Sequence, residues 1–74
     1  MVQEINSEIT GSMWKVLCKV NQRVAKGDEI FIVESMKMEI PVLAEEDGLI
    51  VEILVNEGQT ITEGQLMARV EPNK

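Results

Sequence analysis

With 74 residues, one cysteine and no histidine, the chain is held to one small domain that folds on its apolar core alone, because neither an internal disulfide nor a Cys/His zinc cluster can be assembled. Thirteen Asp and Glu against seven Lys and Arg give a net charge of −6, and Trp14 and Phe31 are the only aromatic residues. Such a surface repels phosphate backbones and has little to stack on bases, which argues against a nucleic-acid partner.

The N-terminal "MVQEINSEIT" has no basic region followed by an apolar block, so it does not read as a signal peptide. The longest uncharged stretch is too short to cross a membrane, and a soluble, cytoplasmic protein is expected. The first strand is expected at "KVLCKV" (15–20), with Cys18 as a core filler and Trp14 just before it as a packing residue. "NQRVAKGD" carries turn chemistry, and "EIFIVE" (29–34) and "EIPVLA" (39–44) are strands. Pro41 fits a strand position whose N–H needs no partner. "EEDG" is a turn, with Glu45, Glu46 and Asp47 solvating it rather than forming a calcium loop. "GLIVEILV" (48–55), the turn segment "NEGQTITEGQ" and "LMARVE" (66–71) complete an all-β reading with no helix.

The chain also repeats itself. Residues 11–34, "GSMWKVLCKVNQRVAKGDEIFIVE", align without a gap on 48–71, "GLIVEILVNEGQTITEGQLMARVE", at an offset of 37. Gly11 falls on Gly48, Leu17 on Leu54, Gln22 on Gln59, Gly27 on Gly64 and Glu34 on Glu71. Asn21 falls on Gly58, and both tolerate a left-handed backbone, so a turn is expected at each. Two copies imply a pseudo-two-fold, packed face to face as a small sandwich or flattened barrel within one domain spanning 1–74. Lys37 lies at the seam between the copies, and its counterpart is Lys74. The lysine is therefore expected at the end of the molecule opposite the termini.

The seam reads Glu34-Ser35-Met36-Lys37-Met38-Glu39. Apolar runs close on it from both sides, which predicts a hairpin reversing at Met36-Lys37. Asn-Gly or Asp-Gly is the usual choice for such a turn, and Met-Lys is poor by that rule. A turn that departs from good local chemistry marks a candidate functional site. The plain alternative is a surface lysine with methionines on the barrel rim and Glu34 and Glu39 as solvated strand ends. Nothing in the pattern makes Lys37 a nucleophile activated by its own neighbours; an acyl group joined to it has to arrive activated.

The "ESMKMEIPV" segment, with its "VAKGDEI" approach and its glycines, resembles the biotinyl/lipoyl attachment domain family, and most closely its free-standing biotin carboxyl carriers. The resemblance covers about residues 8–71. It implies a flattened β-barrel of two four-stranded antiparallel sheets, a barrel-sandwich hybrid, with the lysine on an exposed hairpin. It also implies covalent biotin on Lys37, with Met36 and Met38 serving ligase recognition and turn shape and Glu34, Ser35 and Glu39 flanking. Gly11, Gly27, Gly48, Gly58 and Gly64 match the family's recurrent turn glycines. The proline-rich approach common in the family is replaced by "SEITG", and Asn21 stands where a glycine is common. The gapless repeat predicts no extra "thumb" loop.

The resemblance further implies a non-catalytic carrier subunit, separate and monomeric when isolated. Biotin protein ligase would load it, biotin carboxylase would carboxylate the biotin, and a carboxyltransferase would pass the carboxyl on, for example to acetyl-CoA in fatty acid biosynthesis. Two alternatives stand beside it. Lipoyl domains share the fold and the lysine but show "DKA" in place of "MKM", so lipoate on Lys37 is the nearer one. An unmodified β-barrel interaction module is the other. An enzyme is disfavoured, because without histidine no Ser-His or Cys-His pair forms.

Overall fold

Side chains that alternate between two faces need a partner layer for the apolar face. In a computed structural model, which describes residues 2–72, eight strands supply it. They are β1 (Gln3–Asn6), β2 (Gly11–Val16), β3 (Arg23–Val24), β4 (Glu29–Ser35), β5 (Met38–Leu43), β6 (Gly48–Ile53), β7 (Thr60–Ile61) and β8 (Leu66–Pro72). A first sheet runs β1-β8-β6-β3 and a second runs β5-β4-β2-β7, each antiparallel throughout. Between them lie the fully buried Met13, Ile30, Phe31, Val33, Ile50, Ile61, Met67 and Val70.

The strands β2, β3 and β4 have the lengths of β6, β7 and β8 and lie 37 residues before them. The two copies do not simply stack, however. The short β3 leaves its own copy to pair with β6, and β7 leaves its copy to pair with β2. This exchange knits the sheets together along one side. On the other side β1 and β5 are edge strands. Pro41 sits in edge strand β5, where its missing N–H costs the ladder nothing.

Irregularities repeat too. Ile30 and Phe31 are consecutive yet both buried, which strict alternation forbids. Glu29 faces Leu43 and Phe31 faces Val42, leaving Ile30 as a bulged extra residue. Met67, its counterpart 37 residues on, is the extra residue where β8 meets β1. Trp14 is likewise unmatched between the Met13–Val33 and Lys15–Ile32 pairs, as Val51 is in β6. The bulge turns Trp14 outward, 43 % exposed, with the Lys15 ammonium 5.4 Å from its ring centroid. The expected packing role of Trp14 is thereby corrected.

Four turns share one design. In 19–22, 25–28, 56–59 and 62–65 the fourth residue's N–H donates to the first residue's carbonyl, at 2.9–3.2 Å. The third residue has positive φ: Asn21 at 73°, Gly27 at 92°, Gly58 and Gly64 at 87°. Such a position calls for Gly or Asn. The fourth side chain accepts back from the first residue's N–H: Gln22 from Lys19, Asp28 from Ala25, Gln59 from Asn56 and Gln65 from Thr62. The Gln22–Gln59 match in the repeat has this cause.

Several expected elements move. The strand placed at 15–20 is at Gly11–Val16, and β6 stops at Ile53 rather than 55. Leu17 and Leu54 fall after the strands and are exposed. Gly11 and Gly48 open strands rather than occupy turns. Cys18 is buried as expected but in irregular backbone, not in a strand. Burial pushes its thiol up from the ordinary value, more than a local backbone hydrogen bond lowers it. A raised thiol pKa favours the neutral form in the fold. Its contribution to stability is therefore full below the unfolded-state pKa and lost as pH rises through the folded one. Cys18 is expected to react with a disulfide reagent at pH 8 at least about tenfold more slowly in the native protein than in denaturant. Equal rates measured by absorbance would contradict the burial.

Candidate functional site

Ser35 and Met38 face each other at the end of the β4–β5 ladder, leaving only Met36 and Lys37 to reverse the chain. Both have positive φ, 53° and 64°. Two positive φ values in a two-residue hairpin are the signature of a type I′ turn. Neither residue suits it: a left-handed conformation costs an ordinary L-residue roughly 1–2 kcal/mol. The hairpin expected at this seam is present, and it carries backbone strain at the lysine itself.

The turn projects its side chains outward. Met36 is 92 % exposed and Met38 is 61 % exposed, and Lys37 is exposed between them. Glu34 and Glu39 face each other in register one step below. Among the described residues the ion pairs are those of Arg69 with Glu4 and with Glu52, so neither carboxylate holds the Lys37 ammonium. The lysine is a free stem on a fixed base.

The base is fixed by long-range bonds. The Ser35 hydroxyl donates to the Thr10 carbonyl at 2.9 Å. The Thr10 hydroxyl accepts the Glu63 N–H at 3.0 Å. Nearby, Gly64 N–H donates to the Ser7 carbonyl at 2.8 Å, and Ser7 N–H donates to the Gln65 carbonyl at 2.9 Å. Strand β2 starts tight against the hairpin at Gly11, where an added Cβ would run into the Glu34 carbonyl oxygen and sit 3.2 Å from Ser35 Cβ. Ser35 was expected only as a flank; its tether, with Thr10 and Glu63, was not legible in sequence, because the partners are 25 and 53 residues apart.

The opposite end is equally defined. Strand β5 carries the chain about 20 Å from the turn. There the Ala44 N–H donates to the Asp28 carbonyl at 2.8 Å, and Asp47 accepts the Lys26 N–H at 2.8 Å. Gln3 reaches Glu45 at 3.3 Å, and Pro72 pairs with Gly48. Both described chain ends thus lie away from Lys37, along a molecule with extents of 37 × 18 × 17 Å. Lys74, the expected counterpart of Lys37, lies outside the described residues.

A family model described as "Biotin-requiring enzyme", for biotin and lipoyl attachment, matches residues 2–70. The chain belongs to the biotin/lipoyl attachment family. Membership explains the two four-stranded sheets and the exposed hairpin together. The chain is 38 % identical over 63 residues to the biotin/lipoyl attachment protein of Bacillus subtilis, covering 85 % of this chain and 86 % of that one. It is 38 % identical over 68 residues to the biotinylated protein TB7.3 homolog of Mycobacterium leprae, covering 92 % and 96 %. Among solved structures, the urea carboxylase of Kluyveromyces lactis superposes with a TM-score of 0.90 at 34 % identity, covering 96 % of this chain and 6 % of that one. The biotin/lipoyl attachment fold thus occurs both as a chain of this size and as a small part of a much larger one.

Proposed function

We propose that this chain is a biotin carboxyl carrier and that Lys37 is its attachment residue. The observation that carries the reading is the turn: an exposed, unpaired lysine between two exposed methionines, held at a strained reversal in a chain of this family. Biotin protein ligase would present biotinyl-AMP. The neutral Lys37 amine attacks the acyl carbon, the N–C bond forms, the C–O bond to phosphate breaks, and AMP leaves with loss of one amine proton. The product amide is uncharged. Met36 and Met38 then offer an adaptable apolar collar to successive partners.

The carrier performs no bond chemistry of its own. The lysine stem and the acyl chain make a swinging arm, and the tether keeps the carboxylated intermediate at a high effective concentration between biotin carboxylase and carboxyltransferase. The similarity to a urea carboxylase and to a biotinylated mycobacterial protein supports a carboxylase role. The carboxyl acceptor is the substrate of such a carboxylase, acetyl-CoA being one example, and the compartment proposed is the cytoplasm.

Lipoate is the second reading, favoured by the shared fold and by the name of the Bacillus subtilis relative. Intact mass after co-expression with a biotin ligase and a lipoate ligase, each alone, separates the two. The expected result is a biotinyl increment with the first and none with the second. A lipoyl increment alone would move the assignment.

A further inference from the structure

The pseudo-two-fold gives each position on one sheet a counterpart on the other, and the outer faces break that symmetry. On the first sheet one row across the strands is Glu52, Arg69 and Glu4, joined by ion pairs that neutralise the arginine and solvate the face. The counterparts on the second sheet are Lys15, Ile32 and Pro41, in the same register. Ile32 is partly exposed and is not packed on the core, Pro41 is exposed, and the bulged Trp14 stands beside Lys15. One step toward the turn lie Glu34 and Glu39, opposite each other and without a cation among the described residues.

The hairpin tip is too small to bind a partner by itself. A specific interface takes about 800 Å² from each side, a patch roughly 30 Å across, whereas the molecule is only about 18 Å wide. An enzyme that receives Lys37 therefore extends its contact from the tip onto the side of the barrel. Ile32 is three residues from the end of β4, about 10 Å back from the turn. An aromatic residue at a bulge, the apolar neighbours Ile32 and Pro41 and an unpaired acidic pair leading to the turn make this side the one with something to offer.

We propose that the outer face of β5-β4-β2, centred on Trp14 and Ile32, is the docking surface for the enzyme that acylates Lys37. This rests on the attachment role proposed above. The complementary surface on that enzyme is apolar at its centre and basic toward its active site, where it meets Glu34 and Glu39. A second copy of this chain fits poorly, since it would bring the same carboxylates together at net −6 per chain.

The test is the acylation rate of purified protein by a biotin protein ligase with ATP and biotin, followed by intact mass. Trp14→Ala and Ile32→Glu are expected to lower kcat/KM by at least about tenfold, mainly through KM. Arg69→Ile, the counterpart of Ile32 on the other face, is expected to leave it unchanged. Folding of each variant is checked by thermal denaturation, and the first sheet already carries a charged residue at the position of Ile32. Wild-type rates in both Trp14→Ala and Ile32→Glu would overturn the proposal, as would an equal loss in Arg69→Ile. If wild-type protein takes no acyl group, the attachment role itself fails.

Discussion

Gly11→Ala is expected to destabilise the domain by about 1–3 kcal/mol and to lower its Tm by roughly 5–20 °C. The added methyl meets backbone, the Glu34 carbonyl, where no side chain can swing away. Either β2 and β4 separate at the foot of the hairpin or the ladder there breaks. Gly48→Ala repeats the experiment at the other end, with Val70 Cγ1 at 2.6 Å and the Glu71 carbonyl oxygen at 2.7 Å from the new atom. A similar loss is expected. Because the sites lie at opposite ends, the losses should add. A domain of this size holds only about 4–11 kcal/mol in all, so the double variant should populate unfolded chains at ambient temperature. Neither glycine depends on positive φ; close strand approach is their reason. Thermal melts near wild type in both single variants would contradict that packing.

The second large effect has the opposite sign. Replacing Met36-Lys37 by Asn-Gly is expected to stabilise the domain by about 1–2 kcal/mol, raising Tm by roughly 5–15 °C, because the new residues accept the left-handed backbone that Met36 and Lys37 occupy at a cost. The gain falls short of the full strain, since glycine adds freedom to the unfolded chain. Met36→Asn alone keeps the lysine and should recover part of the gain. An unchanged or lower Tm in the Asn-Gly variant would mean that the turn is not strained. The strained turn keeps Lys37 exposed at the very end of the β4–β5 ladder, and stability is lower as a result.

Much of this site was legible in the sequence for physical reasons. The hairpin showed because apolar runs close on Met36-Lys37 from both sides: β4, β6 and β8 are buried enough to read as apolar segments, and the edge strand β5 carries "IPVL" although it is largely exposed. The Asn21 and Gly58 turns showed because a left-handed position restricts residue choice. Strand β2 was displaced because its bulge at Trp14 breaks the alternation, while "VLC" just after it imitates a strand. Strand β1, "QEIN", is a polar edge, and β3 and β7 have two residues each, too few for any period to show. The Ser35–Thr10–Glu63 tether depends on which loops the fold brings together, which no local pattern encodes. The asymmetry between the outer faces appears only once register pairs Lys15 with Ile32 and Glu52 with Arg69.

The proposed function places the acyl group on one side chain, Lys37. Lys15, Lys19, Lys26 and Lys74 provide four internal controls in the same molecule. The decisive measurement is the intact mass of wild-type protein and of Lys37→Arg after exposure to the same biotin ligase, ATP and biotin. A single biotinyl increment is expected on the wild type and none on the variant, with both equally folded. An increment that survives in Lys37→Arg, or its absence from a folded wild type with active ligase, would contradict it.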